Sequence, residues 1–173
     1  YQCTFCSNPA MWTTKWLARS PIDVIDEMEQ YITDYSIDNF DFYDLTAIVN
    51  RKWIIEFCNL IIERKMKMTW QLPSGTRSEA IDSEVSKLLY QSGCKNLSFS
   101  PESGSVAVLK DIKKKIEPKK MLKAMKSCID NNMIVKTNII LGFPNEKLIN
   151  VIQSYIFIIK MAVIGVHETA VWT

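Results

Sequence analysis

Hydrophobic and polar positions along the chain follow two different periods, one typical of strands and one typical of helices. Five short segments rich in β-branched and aromatic residues predict strands at 39–45, 67–72, 96–100, 134–141 and 165–171. The longer segments between them repeat apolar residues every three or four positions, as one face of a helix does. The pattern therefore predicts strands and helices in alternation.

Helix boundary residues agree with this division. Ser20 before Pro21 is typical of the start of a helix, and Asp23 completes a capping box. Pro118 begins a second helix, and Gly93 ends a third that starts near residue 81. The remaining helices are predicted at 51–65 and 145–163.

The spacing of the predicted strands indicates the architecture. Successive strands begin about 30 residues apart, which is the length of a β-α unit in a parallel sheet. Five such units predict an α/β fold, either a sheet that curls into part of a barrel or an open doubly wound sheet. In both cases the functional residues are expected at the carboxyl ends of the strands.

Composition adds few constraints. The chain has 173 residues, 47% hydrophobic and 23% charged, which fits one soluble globular domain over residues 1–173. The net charge of +2 indicates neither a nucleic-acid partner nor a membrane surface. The lysine-rich segment 110–123 is interpreted as a solvated face of helix and loop.

The remaining compositional signals concern location. The apolar segment 149–166 contains Gln153, Lys160 and Gly165, so it is expected to be a buried amphipathic helix that leads into a strand and not a membrane span. The first residues lack the basic and apolar regions of a signal peptide. Five cysteines without a disulfide-like spacing favour a reducing, cytoplasmic compartment.

Cys3 and Cys6 are the first candidate for chemistry. Two thiolates separated by two residues can bind one metal centre, and Phe5 lies between them. This spacing alone fits an iron–sulfur cluster, half of a zinc site or a redox pair. Zinc needs two more ligands, but the chain has a single histidine, His167, and its other cysteines are scattered. Those cysteines are expected within or at the ends of helices, as core residues: Cys58, Cys94 and Cys128.

Polar residues also follow the predicted strands. A zwitterionic amino acid needs an anion near its amino group and a cation near its carboxylate, and a ribose diol needs a carboxylate or hydroxyls. Side chains of these types come at the ends of three predicted strands: Asp44, then Arg77 after a turn at 74–76, and then Glu102 and Ser103. The fourth strand contains Asn138 and is followed by a turn that begins at Gly142.

Taken in order, these features resemble the core domain of radical S-adenosylmethionine (SAM) enzymes. The resemblance rests on the Cys-x-x-Cys motif with its aromatic residue, the Asp44 strand, Arg77 at a strand end and the turns at 102–105 and 142–144. The segment 72–102 is similar to the branch whose members often carry a separate cobalamin-binding domain. The resemblance covers nearly the whole chain.

The resemblance implies a partial (β/α)6 TIM-like barrel without its first strand, in which Cys3 and Cys6 bind a [4Fe-4S] cluster. It implies an enzyme that reductively cleaves SAM to methionine and a 5′-deoxyadenosyl radical, with an electron donor, an unknown small-molecule substrate and a cobalamin domain outside this chain. The SAM contacts follow from the positions that match the family. Asp44 is implied to contact the methionine amino group, Arg77 the carboxylate, and Glu102 and Ser103 the ribose and methionine. Phe5 is implied to lie near the adenine, as is the segment 138–142 with Asn138 and Gly142.

The sequence departs from the family pattern at two places. A third cluster cysteine is expected two residues before Tyr1, and without it the chain should bind a cluster poorly. The usual second glycine of the turn after Gly142 is replaced by Asn145, which tolerates a left-handed backbone. Two alternatives stay open: a non-catalytic barrel fragment that cannot assemble the cluster, and a small zinc or redox module.

Overall fold

A computed structural model describes residues 2–11, 15–44 and 48–173 of the chain. In this part of the chain five parallel strands form one sheet, and they lie in sequence order with each strand hydrogen-bonded to the next. The strands are β1 (Asn39–Asp41), β2 (Thr69–Thr76), β3 (Cys94–Glu102), β4 (Ile134–Ile140) and β5 (Glu168–Trp172).

Helices connect these strands. One begins after the predicted capping residue Ser20, while Asp82 caps another without having been predicted. The Ser20 hydroxyl accepts a hydrogen bond from Asp23 N at 3.2 Å, and the Asp82 carboxylate accepts from Val85 N at 2.9 Å. The described helices are α1 (Asn8–Met11), α2 (Pro21–Tyr35), α3 (Arg51–Glu63), α4 (Ser83–Gln91), α5 (Val106–Asp111), α6 (Pro118–Asp130) and α7 (Leu148–Val163). None of them is long and apolar enough to cross a membrane.

The strand order decides between the two predicted architectures. A doubly wound sheet reverses its strand order at a switch point, whereas the strands of a β/α barrel follow the sequence. The observed order β1-β2-β3-β4-β5 has no reversal. The sheet is therefore a segment of a barrel, with all carboxyl ends at one edge.

The core lies between the sheet and the helices. Phe57 of α3 contacts the buried Trp70 of β2 edge-on, with ring centroids 5.4 Å apart, and stacks on Trp53 at 5.2 Å. Cys58, Cys94 and Cys128 are fully buried, as expected of core residues. The expectation that each of them lies within or at the end of a helix is wrong for Cys94, which begins β3.

Two strands end later than the sequence predicts, and both contain an irregular register. β2 continues through Ser74 and Thr76, so these residues are not the predicted turn. Gly75 allows this close pairing, because a Cβ on Gly75 would lie 2.1 Å from the Ser100 Oγ of β3. Pairing of β3 with β4 shifts between Phe99 and Glu102. Such irregularities redirect side chains at the end of a strand.

The first strand is shorter than predicted. β1 ends at Asp41, and residue 44 follows it in an extended segment, while residue 45 of the predicted strand lies outside the described residues. The predicted start of β5 at 165 is also early, because Gly165 has a φ of +96° and belongs to the turn after α7. A left-handed φ does not fit the extended backbone of a regular strand.

Candidate functional site

The two cysteines occupy a tight turn at the carboxyl-terminal edge of the sheet. Cys6 N donates to the Cys3 carbonyl at 3.2 Å, which brings both side chains to one loop. The loop packs on the turn after α5, because Thr4 N donates to the Ile112 carbonyl at 3.1 Å and the Cys3 thiol lies 3.8 Å from the Lys113 carbonyl. We call residues 3–6 the cysteine loop.

The surroundings of Cys3 are partly buried and charged. Burial raises the pKa of the Cys3 thiol, the Lys114 ammonium works against this rise, and the charges of Cys6 and Glu102 add to it. Cys6 is exposed and Cys3 is half-buried. The charge of Glu102, the last residue of β3, thus acts on the Cys3 thiol of the cysteine loop.

An ion pair between Glu102 and Lys114 lies beside this loop. The Lys114 Nζ is 2.9 Å from the Glu102 carboxylate, and their side chains are only 17% and 9% exposed, respectively. Lys114 also lies over the Phe5 ring, 6.0 Å from its centroid. The interpretation of the whole lysine-rich segment as a solvated face is therefore wrong for Lys114, which points inward.

The backbone at Glu102 has an unusual conformation. Its φ is +64°, in the left-handed region that a residue with a Cβ adopts at a cost of about 1–2 kcal/mol. It follows the register shift near the end of β3. Strain of this kind is concentrated at functional sites, where it fixes the direction of a side chain.

Ser103 has a different environment from Glu102. It is fully buried, and its hydroxyl lies 3.0 Å from the Ser154 hydroxyl of α7 and accepts from Ser105 N at 3.1 Å. Gly104 N also donates to Ser154 at 3.0 Å, and Asn150 donates to the Ser105 hydroxyl at 3.0 Å. In the structure the Ser103 side chain thus fastens the turn to α7.

The end of β4 meets the cysteine loop through aromatic rings. Phe143 lies 5.6 Å from Phe5 between centroids, directly after Gly142, whose φ is +88°. The Glu146 carboxylate accepts from Gly142 N at 2.6 Å and from Phe143 N at 3.3 Å. Asn145 adopts the left-handed φ of +66° that its replacement of a glycine predicts.

Glu146 was not identified from the sequence as a site residue. Its Oε2 holds the turn, whereas its Oε1 is buried and has no hydrogen-bond partner among the described residues. A buried acceptor of this kind requires a donor. The only signal in the sequence is its position in the turn after the fourth strand.

The other predicted residues lie at the same edge but are less closely joined. Asn138 accepts from the Trp172 indole at 3.3 Å, near the end of β5. Arg77 directly follows β2 and donates to both oxygens of Glu79, at 2.8 and 3.2 Å. Asp44 is exposed and forms no hydrogen bond or ion pair with the described residues.

His167 and Glu168 lie at the opposite edge. His167 Nδ1 accepts from Val135 N at 3.2 Å, and Glu168 pairs with Lys136 at 2.9 Å. Both partners are near the amino-terminal end of β4, while the cysteine loop lies at the carboxyl ends. These two residues therefore do not face the candidate site.

The donor set can be compared with the metal centres that the sequence allowed. No cluster of three or more Cys, His, Asp or Glu side chains suited to a metal ion occurs among the described residues. Cys3 and Cys6 can supply two thiolates, which is half of a four-ligand zinc site. Two thiolates in one turn can also supply two of the ligands of an iron–sulfur cluster.

Comparisons with known proteins agree with this geometry. The profile of the radical SAM superfamily matches residues 1–158. An uncharacterized methyltransferase, PH0819 of Pyrococcus horikoshii, is 28% identical over 146 residues, which are 84% of this chain and 31% of that protein. The anaerobic magnesium-protoporphyrin IX monomethyl ester cyclase of Rubrivivax gelatinosus is 24% identical over 155 residues, 90% of this chain and 28% of that protein.

A solved structure shares the fold. The radical S-adenosylmethionine methyltransferase TsrM of Kitasatospora setae, solved with cobalamin and a [4Fe-4S] cluster, superimposes with a TM-score of 0.85 at 15% identity. The match covers 99% of this chain and 34% of TsrM. It confirms the predicted fold class, a partial (β/α)6 barrel. The chain spans about a third or less of the curated relatives that it matches.

Proposed function

This chain belongs to the radical SAM superfamily, and from that membership we propose that it is the core domain, over residues 1–173, of an enzyme that binds a [4Fe-4S] cluster and reductively cleaves SAM. The observation that carries this proposal is the packing of the cysteine loop against the buried Glu102–Lys114 pair. It unites two thiolates with a carboxylate and an ammonium at the functional edge of a β/α barrel.

Cys3 and Cys6 are the proposed cluster ligands. When bound and reduced, the cluster supplies the electron that splits SAM into methionine and a 5′-deoxyadenosyl radical. The cysteine loop holds both thiols in one turn. Burial raises the pKa of the Cys3 thiol, Lys114 opposes this rise, and a bound metal centre would favour the thiolate that a ligand requires.

Glu102 and Lys114 are proposed to bind the polar ends of SAM. The Glu102 carboxylate already accepts an ammonium, so it can accept the amino group of methionine or the hydroxyls of a ribose. Lys114 would then be released to the methionine carboxylate, the role that the family resemblance gives to Arg77. The exposed Asp44 would contact the methionine amino group, and Arg77, which is paired with Glu79, would exchange that partner for the carboxylate.

The adenine is proposed to lie between the cysteine loop and the end of β4. Phe5 and Phe143 provide ring surfaces there, and Gly142 leaves space, since no atom lies within 4 Å of a Cβ built on it. Asn138 can contribute its amide at the same edge. Ser103 can contribute backbone groups, because its hydroxyl is engaged by α7.

The remaining proposals concern the longer protein. Similarity to a methyltransferase solved with cobalamin supports a cobalamin domain outside this chain, and the reductive chemistry requires an electron donor. We propose a cytoplasmic enzyme with a small-molecule substrate, since free thiols and a reduced cluster need a reducing compartment.

The test is anaerobic reconstitution of a polypeptide that includes the residues before Tyr1. Iron and sulfide per chain are measured first, and then 5′-deoxyadenosine formed from SAM with dithionite. We expect cluster and product with the parent protein and neither with Cys3→Ala or Cys6→Ala. Cys58→Ala is the matched control, because Cys58 is buried in α3, away from the site, and should leave both unchanged.

Four outcomes decide between the alternatives. Neither cluster nor 5′-deoxyadenosine in the parent protein supports the non-catalytic barrel fragment that cannot assemble the cluster, and a cluster without any cleavage of SAM refutes the catalytic proposal. Zinc in place of iron and sulfide supports a zinc module. Loss of cluster in Cys58→Ala but not in Cys3→Ala would remove the cysteine loop from the cluster site.

A further inference from the structure

Resting on the proposed function, which requires a one-electron donor, we propose that a basic surface beside the cysteine loop is the docking site of an acidic electron-transfer protein. This surface consists of Lys110, Lys113, Lys115, Lys119 and Lys123, on α5, on α6 and on the turn between them. All five side chains belong to exposed residues.

The charge of this surface is not neutralised. None of the five lysines forms an ion pair with another described residue, whereas Lys120 pairs with Glu117 and Lys126 pairs with Asp130. The segment 110–126 contains eight lysines and only two acidic residues, in a chain whose net charge is +2. Positive charge is therefore concentrated at this surface, and the other residues together are acidic.

The position of the surface suits electron transfer to the cysteine loop. The Lys113 carbonyl is in contact with the Cys3 thiol at 3.8 Å, and the neighbouring Ile112 carbonyl accepts from Thr4 N at 3.1 Å. A protein that contacts the exposed Lys113 side chain thus binds to the residue whose carbonyl contacts the Cys3 thiol. In the same turn Lys114 points inward and Lys113 points outward.

Lysines suit a transient complex of this type. Electron-transfer interfaces are small, and complementary charge accelerates their association and orients the partners. Exposed ammonium groups contribute long-range attraction without the fixed geometry of a tight interface. A nucleic acid is the less favoured occupant, because the net charge outside this surface is negative and opposes an extended polyanion.

The experiment measures binding and not turnover. An acidic flavodoxin is titrated into the chain by calorimetry at salt concentrations of about 0.01 M and about 0.15 M, between which the Debye length falls from about 30 Å to about 8 Å. The triple variant Lys110→Glu/Lys113→Glu/Lys115→Glu should weaken binding at low salt by about tenfold or more. A second variant, Lys119→Glu/Lys123→Glu, gives the same direction if the first fails to fold.

The control reverses three exposed lysines at the opposite edge, Lys67, Lys95 and Lys160. This control changes the net charge by the same amount as the first triple variant. We expect its affinity for flavodoxin to fall by less than about twofold, because its substituted residues do not contact the docked protein and only the net charge acts on binding. Equal weakening by both triple variants, or no binding of flavodoxin at low salt, overturns the proposal. The proposal is also overturned if a DNA duplex binds as tightly as flavodoxin and the triple variant at residues 110, 113 and 115 weakens both complexes equally.

The proposed function fails in a distinguishable way. With reconstituted protein, the triple variant should be reduced by dithionite and cleave SAM as the parent does, while reduction by flavodoxin slows about tenfold. Failure with dithionite in the parent protein contradicts the cluster chemistry. Unchanged reduction of the variant by flavodoxin contradicts only the docking surface.

Discussion

At the scale of single residues, the lysines after α5 divide into one inward side chain and several outward ones. Lys114 is paired with Glu102 at 2.9 Å in a nearly buried position, whereas Lys113 is exposed. Removing one partner of a buried pair leaves the other charge without compensation. The two neighbours should therefore respond very differently to the same substitution.

We expect Lys114→Met to lower the free energy of unfolding by about 1–3 kcal/mol, because Glu102 loses its partner in a desolvated position. Lys113→Met should change it by less than about 0.5 kcal/mol. Urea unfolding monitored by tryptophan fluorescence measures both. Equal values for the two variants would show that the ion pair contributes nothing to stability.

The buried thiols make stability depend on alkaline pH. Burial raises the pKa of Cys58 and of Cys128 from 9.0 to about 12, and that of Cys94 well above 9.0. Above pH 9 the unfolded chain loses these protons, while the folded chain retains them. Their contribution to stability is complete below pH 9 and is lost as the pH rises toward 12.

The free energy of unfolding should therefore fall between pH 9 and pH 11, by up to about 1.4 kcal/mol per pH unit for each thiol. Chemical unfolding at several pH values measures this slope. The variant Cys58→Ala/Cys128→Ala should show a shallower decline than the parent. An identical slope would assign the pH dependence to other groups.

At the scale of elements, the position of α7 depends on one glycine. A Cβ on Gly104 would lie 2.5 Å from the Phe157 Cβ and 2.6 Å from the Gln153 carbonyl of α7. The hydrogen bonds of Ser103 and Gly104 to Ser154 hold the same contact. The turn that follows Glu102 and the helix that follows the end of β4 thus form one unit.

Gly104→Ala should destabilise the chain by about 1–3 kcal/mol, because backbone atoms of α7 cannot make room without moving the helix. The matched control is Gly142→Ala, whose added Cβ would have no atom within 4 Å. It should lower the free energy of unfolding by about 1 kcal/mol, because residue 142 has a left-handed φ. Hydrogen exchange resolves the two: amides of α7 should exchange faster in Gly104→Ala only. Protected α7 amides in that variant would contradict the contact.

At the scale of the whole molecule, α7 presents apolar side chains to solvent on the face opposite its buried residues. Large apolar surfaces of this kind promote association in isolated domains. The exposed residues are Leu148, Ile149, Ile152, Tyr155, Ile156, Ile159 and Val163.

We expect the chain by itself to self-associate through this face and Ile152→Glu/Ile159→Glu to increase the monomer fraction, as measured by sedimentation velocity. Stability should change by less than about 0.5 kcal/mol per substitution, since both side chains are exposed. The control Ile22→Glu/Ile62→Glu introduces the same charge at two exposed isoleucines on α2 and α3. If the control raises the monomer fraction equally, net charge and not the α7 face controls association.

The β/α alternation could be predicted without a structure, because strands and helices have different hydrophobic periods. The sequence also placed the candidates at one edge, since the carboxyl ends of parallel strands coincide. The cysteine turn and the left-handed Asn145 were predictable for a local reason: spacing and backbone preference involve only neighbouring residues.

Which of these residues contact one another could not be predicted from the sequence and follows from the folded structure. Lys114 pairs with Glu102, which is twelve residues earlier in the chain, and the Cys3 thiol contacts the carbonyl of Lys113, which is 110 residues later. No local sequence pattern encodes these contacts. The packing of Gly75 and Gly104 against distant elements set the end of β2 and the position of α7. His167 lies at the edge of the sheet opposite the cysteine loop, where its Nδ1 accepts a hydrogen bond from Val135 N. The physical reason is common to all: burial and side-chain direction depend on neighbours that the chain brings together only when it folds.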